Sequence, residues 1–326
     1  MLNEKEVKVM SISNNFVIEM NHVSKDFKVL NRHEGLKGSL KDLFSRDYRI
    51  LTAVNDISIS INKGEIVGYL GPNGAGKSTT IKMMSGVLEP SRGEILVNGN
   101  VPYSNRTKNA ENIGVVFGQR SQLWWALPLI ESFKVLKDIY MIPDKEYNDI
   151  TELYRSLVDI DPLLHKPVRQ MSLGQRTLSD ILATFLHNPK IVFLDEPTIG
   201  LDVSMKAKIR DLIKGLNKEK HTTVILTTHD MGDVDALCQR IVIIDHGKMI
   251  YDNDMEHLKT YFGSYRTLRL NLKDVGWKEY LVDESKTDVM SIISDAQKYY
   301  TIRDIQLKEI ETEEIIKKIY EGGTTA

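Results

Sequence analysis

Eight consecutive residues, Gly71, Pro72, Asn73, Gly74, Ala75, Gly76, Lys77 and Ser78, fit the pattern G-x-x-x-x-G-K-[ST] and restrict the fold more than any other stretch of the chain. The apolar run 65–70, EIVGYL, reads as a buried strand that enters the glycines directly. Residues 77–87 read as the helix that leaves them. In such a frame the glycines let backbone amides turn inward around phosphate oxygens. Lys77 brings positive charge to the outer phosphates, and Ser78 offers a hydroxyl to Mg²⁺. The helix N-terminus adds its own preference for an anion.

A second segment completes that chemistry. Residues 191–196, IVFLDE, place four apolar residues ahead of two acids. The strand delivers Asp195 to its end, where a carboxylate holds Mg²⁺ through water. Glu196 beside it is positioned to polarise an attacking water as a general base. Further short apolar strands are expected over 223–228 and 241–245, with mainly helical patterns over 130–185. Strands alternating with helices predict an α/β fold whose parallel sheet is covered on both faces.

The flanks are less regular. Residues 16–24 alternate like an opening strand. Residues 31–47 carry Leu36, Leu40, Leu43 and Phe44 at helical spacing, so they read as an inserted short helix or a solvated excursion. Asn62, Lys63 and Gly64 read as the turn of a hairpin. Residues 256–326 change texture: strands are expected near 267–272, 280–283 and 303–309, and helices near 286–297 and 311–320. In the last helix Glu311, Glu313 and Glu314 precede Lys317 and Lys318, the order its dipole prefers.

Composition excludes several classes. The chain of 326 residues has a formal net charge of −2, so no global positive field points to nucleic acid. Its single cysteine, Cys238, cannot form an internal disulfide, which suits a reducing compartment. No apolar run approaches the ~20 residues a helix needs to cross a bilayer. The N-terminus MLNEKEVKVM lacks the apolar centre of a signal peptide. A membrane role is therefore expected to come through a partner.

The residues together resemble the ATP-binding-cassette family over most of 16–255. Met171, Ser172, Leu173, Gly174 and Gln175 look like its signature segment, usually Leu-Ser-Gly-Gly-Gln, with Met171 and Leu173 as departures. The resemblance implies a P-loop nucleotide-binding domain over 1–255. Its parts are a mixed sheet, an antiparallel β subdomain and a helical subdomain at about 120–185, with a small α+β extension over 256–326. It implies ATP and Mg²⁺ as cofactors, with Ser78, Gln119 and Asp195 on the metal and Thr79 joining the phosphate loop. Ser172, Leu173, Gly174 and Gln175 would contact the ATP held by a second chain, homologous or identical. Asp202 resembles the loop that crosses that dimer, Gln119 the nucleotide-sensing glutamine and His229 the switch histidine. Tyr48 resembles the adenine-stacking aromatic, with Phe27 as its competitor.

The closer likeness is to the ABC-2 type exporter class, whose permease is a separate polypeptide. The implied activity is ATP hydrolysis coupled to transport at the cytoplasmic side of the membrane. Trp124 and Trp125 are candidates for docking that permease, since tryptophans anchor interfaces; the other reading makes both core residues. Alternatives from the same family are an importer subunit, or a soluble ATPase acting on ribosomes or DNA. The extension is expected to steady or regulate the dimer, or only to pack on the core.

Overall fold

The computed structural model describes residues 15–30, 48–118, 121–261, 263 and 265–321. The N-terminus, the 31–47 stretch and Gln119 lie outside the described residues.

The central layer is a six-stranded sheet. It contains β3 (Ile66–Leu70), β5 (Ile113–Phe117), β6 (Ile191–Asp195), β7 (Thr223–Thr227), β8 (Arg240–Asp245) and β9 (Lys248–Asp254), in the order β5-β6-β7-β3-β8-β9. The first five in that order run parallel, and β9 returns antiparallel to β8. β3 and β7 are buried at every residue, which is why they read as unbroken apolar runs rather than alternations.

Successive side chains point to opposite faces, so one strand feeds two cores. Val67, Tyr69, Phe193, Ile225 and Val242 pack toward α1 (Lys77–Met84) and a three-stranded antiparallel sheet. That sheet has the order β2-β1-β4, from β1 (Phe16–Leu30), β2 (Tyr48–Asn62) and β4 (Arg92–Val97). Between β4 and β5 lies the short α2 (Arg106–Ala110). Ile66, Leu70, Leu194, Leu226 and Ile243 face the other core. It is filled by α3 (Leu129–Ile139), α4 (Asp144–Leu157), α5 (Asp161–Leu164), α6 (Leu173–Phe185), α7 (Val203–Lys220) and α8 (Met231–Leu237). Each fully buried large aliphatic stabilises this arrangement by about 1.5–3 kcal/mol.

Two expectations change. Asn62–Gly64 does not close a hairpin: β2 pairs with β1 in the antiparallel sheet, while β3 belongs to the parallel one. The turn moves the chain between layers. It is fastened there by Gly64 N–H to Thr223 Oγ1 at 2.8 Å and by Asn217 Nδ2–H to the Gly64 carbonyl at 2.9 Å. The true hairpin pairs β1 with β2, its register running from Phe16 opposite Asn62 to Leu30 opposite Tyr48. β9 is also an addition, since 248–254 mix polar and apolar residues without a strand signal.

After α9 (Met255–Tyr261) a second antiparallel sheet has the order β11-β10-β12, from β10 (Tyr265–Leu272), β11 (Gly276–Asp283) and β12 (Ile302–Glu309). α10 (Val289–Tyr299) covers it through Ile293 over Leu268, Leu270 and Val282. The last helix, α11 (Thr312–Tyr320), leaves that unit. Its Ile315, Ile316 and Ile319 are buried in the same core as Leu70, Leu237 and Leu258. Thr312 Oγ1 donates to Asp235 Oδ1 at 2.7 Å on the α8 side. Glu314 accepts from Thr267 Oγ1 at 2.6 Å, and the Lys318 ammonium lies 4.1 Å from the Tyr265 ring centroid, both on the β10 side.

Candidate nucleotide site

β6, β7 and β3 are neighbours and parallel, so the segments leaving their C-terminal ends converge. That edge of an open α/β sheet is where ligands bind. Pro72, Asn73, Gly74, Gly76, Lys77, Ser78 and Thr79 line a cavity of about 340 Å³ there, together with Ala53, Gly118, Asp195 and Glu196. Gly76 has φ 109°, and a Cβ on it would stand 2.5 Å from the Ala53 carbonyl oxygen, so only glycine fits. α1 begins at that residue with no side-chain cap and no acid in its first turn. Its first amides are left free to meet an anion.

The Lys77 side chain is buried, and its Nζ donates to the Gly71 carbonyl at 2.6 Å and the Pro72 carbonyl at 3.2 Å. Burial lowers the pKa of this ammonium, while Glu196 and Asp195 oppose the change. Thr227 Oγ1 donates to Asp195 Oδ1 at 2.5 Å and so orients the carboxylate. Glu196 follows with φ 53°, a left-handed backbone that costs a non-glycine residue about 1–3 kcal/mol. Its N–H to Thr227 carbonyl bond of 2.9 Å holds that conformation.

His229 Nε2 lies 3.2 Å from both Glu196 Oε1 and Asn73 Oδ1. Both partners are acceptors as placed, so this nitrogen is assigned the proton. The strand ends therefore bring His229, Glu196, Asp195 and the glycine loop together. Thr227 and Asn73's contact with His229 were not singled out for these roles. The Thr-Thr pair at the end of an apolar strand, just before a histidine, was the available signal.

The signature segment lies outside the phosphate-loop cavity, with Leu173 reaching a smaller neighbouring one beside Gly118 and Glu196. Ser172 caps α6 with a reciprocal capping box to Gln175, each bond 3.2 Å, and Lys166 Nζ donates to Gln175 Oε1 at 2.9 Å. Ser172 and Leu173 are exposed; Gly174 is buried, and a Cβ there would stand 2.5 Å from Met205 Cγ on α7. None of 172–175 lines the phosphate-loop cavity. Asp202 caps α7, accepting from Met205 N–H at 2.9 Å. Trp124 and Trp125 are 38% and 54% exposed, against the core reading, and the Arg176 guanidinium lies 4.4 Å from the Trp125 ring centroid. Tyr48 stands at the far end of the β1–β2 hairpin with Lys28 Nζ 5.0 Å from its ring centroid, while Phe27 lies opposite Leu51, nearer Ala53.

The family model described as ABC transporter matches residues 54–199. The ABC transporter ATP-binding protein NatA of Bacillus subtilis is 33% identical over 215 residues, covering 66% of this chain and 87% of that protein. The chain belongs to the ABC transporter family. It is an ATPase cassette of that family and binds ATP. The ABC transporter A family member 1 of Dictyostelium discoideum is 34% identical over 70% of this chain, which spans only 26% of that longer protein. Among solved structures, cbiO1 from Clostridium perfringens, part of the ABC transporter complex cbiONQ, is 26% identical. It superposes with a TM-score of 0.61, covering 76% of this chain and 91% of that one. Among the described residues no helix is long and apolar enough to cross a membrane.

Proposed function

We propose that this cassette hydrolyses ATP, with Mg²⁺, to drive export through a separate membrane-spanning permease, and that two chains act together. One observation carries the pairing: the phosphate-loop cavity holds Lys77, Asp195 and Glu196 but no residue of 172–175. A second chain related by a two-fold axis supplies the exposed Ser172 and Leu173 to each cavity. Gly174 serves the same end by letting α6 close on α7, and Gln175 by holding the Ser172 cap.

Within one cavity the roles follow from placement. The free backbone N–H groups of the loop and of the first turn of α1, with the Lys77 ammonium, hold the phosphates. Ser78 and Asp195 both line the cavity and would supply the oxygens that suit Mg²⁺; by resemblance Gln119 joins them. When bound, Mg²⁺ neutralises charge on the phosphate oxygens. Glu196 takes the proton of the attacking water. His229, already donating between Asn73 and Glu196, is placed to hand that hydrogen bond to a γ-phosphate. Losing that phosphate removes the contacts that close the pair, and the two chains part.

For the adenine ring the β1–β2 register favours Phe27 over Tyr48. At about 3.3 Å per residue, Tyr48 lies roughly 17 Å along β2 from Ala53, which touches the loop. Residues 1–255 act as the cassette and 256–326 as the accessory region, with α11 returned to the cassette. Trp124 and Trp125 form the docking patch for the permease, and through it the chain sits peripherally on the cytoplasmic face of the membrane. The cbiO1 neighbour, part of a transporter complex, supports a membrane partner. The direction, export, rests on the chain's resemblance to the exporter class, which is an analogy of family rather than of site.

The test is an affinity capture from detergent-solubilised membranes with the Glu196→Gln form and ATP as bait. A polytopic membrane protein in stoichiometric amount supports the reading and names the partner. Recovery of ribosomes, nucleic acid or nothing leaves the ATPase chemistry and removes transport. The Trp124→Ala/Trp125→Ala bait should lose the partner and keep ATP affinity.

A further inference from the structure

Asp233, on the first turn of α8, is fully buried. A carboxylate at such depth is costly unless it is paired and hydrogen-bonded. Its Oδ2 accepts from two hydroxyls at once, Thr198 Oγ1 at 2.5 Å and Thr228 Oγ1 at 2.8 Å. Its Oδ1 accepts from Arg210 Nε at 2.7 Å. Thr198 lies two residues after Glu196, and Thr228 lies immediately before His229. One oxygen atom therefore pins together the two segments that carry the general base and the switch histidine, whose side chains meet at 3.2 Å.

Stability alone does not call for this arrangement. Apolar residues of similar volume often replace a buried ion pair with no loss of stability. Directional bonds to one carboxylate add instead a fixed relative position. Arg210 extends the pin to α7, the helix that Asp202 caps. The same guanidinium reaches Asp230 Oδ1 at 3.2 Å, and Lys206 joins it at Asp230 Oδ2. Asp230 N–H in turn donates to Thr228 Oγ1 at 3.0 Å.

We propose that Asp233 is a positioning residue for hydrolysis, setting Glu196 and His229 at their working separation through Thr198 and Thr228. This rests on the roles proposed for Glu196 and His229. Asp233 is fully buried and does not line the phosphate-loop cavity, so its loss is read in turnover rather than in binding.

The experiment compares the wild type with Thr198→Val/Thr228→Val and Thr198→Ser/Thr228→Ser, using the full chain. Valine keeps the volume and removes the hydroxyls; serine keeps the hydroxyls. Three quantities are read: kcat per nucleotide-binding site, Kd for ATP and the thermal midpoint, with Lys77→Ala as the background control. The valine pair is expected to lose about tenfold or more in kcat, the scale of a misplaced general base. Its Kd should stay within about twofold, and the serine pair should recover most of the turnover. Unchanged kcat in the valine pair overturns the proposal. So does a loss of kcat matched by weaker ATP binding and a lower midpoint, which marks a purely architectural role. A wild type with no turnover above Lys77→Ala removes the catalytic reading itself, and the positioning role with it. Turnover in the wild type that is indifferent to the valines removes the positioning role alone.

Discussion

Asp180, on α6, is 6% exposed and accepts from Ser121 Oγ at 2.9 Å and Gln122 N–H at 3.0 Å. Burial pushes its pKa up to about 6 from an ordinary 3.8, and those hydrogen bonds only partly offset the rise. Between pH 4 and 6 the folded chain then holds a proton at Asp180 that the unfolded chain has lost. Stability from this group is present below the unfolded pKa and falls as pH rises through the folded one, on the order of 2–3 kcal/mol in all. Asp180→Asn should remove that fall. Urea midpoints of both forms from pH 4.5 to 7 test it: the wild type should lose stability relative to the variant as pH rises. A single hydroxyl matters in a similar way at Asp195. Thr227→Val leaves the carboxylate without its 2.5 Å donor, worth about 1.5–3 kcal/mol for a charged acceptor. ATP turnover of Thr227→Val should fall by about tenfold or more, and a turnover equal to wild type would argue that Asp195 needs no such support.

At the scale of elements, the β1–β2 register makes a prediction about the base. Phe27→Ala should weaken ATP binding by about 1–3 kcal/mol, the range of an aromatic platform under a base, while Tyr48→Ala should leave it nearly unchanged. Titration with a fluorescent ATP analogue decides, and the reverse ranking would restore Tyr48. The α6–α7 crossing is equally specific. Gly174→Ala puts a methyl 2.5 Å from Met205 Cγ, an overpacking of about 1–3 kcal/mol that a thermal melt of the variant should register. These elements also show what the sequence made legible. The strands that lead to Lys77, Asp195 and His229 were readable because each is a short apolar run that gives way to glycine or polar residues, a wholly local signal. Asn62–Gly64 misled because the same turn chemistry serves a chain reversal or a passage to another sheet, and only the pairing of β2 with β1 distinguishes them. The choice between Phe27 and Tyr48 was open because the inserted 31–47 stretch lies between them and leaves this span's alignment with the family unfixed. The meeting of Asp233 and its neighbour Thr228 with Thr198 and Arg210 joins three separate parts of the chain, and no spacing announces it.

At the scale of the whole molecule, the sheet of β10, β11 and β12 is held to the rest partly through α11. Ile316→Ala should cost about 2–5 kcal/mol, because its side chain is 4% exposed within the main core. The thermal midpoint of that variant is the readout, and a midpoint equal to wild type would mean that α11 rests on the core without contributing to it. The placement of α11 also bears on how the molecule is made. Its three isoleucines complete a core that begins with the strand ahead of the glycine loop, so that core closes only once residues 312–320 have been synthesised. Until then the earlier part of the chain holds an apolar groove open beside its own phosphate loop, and a break in translation ahead of α11 leaves that groove uncovered.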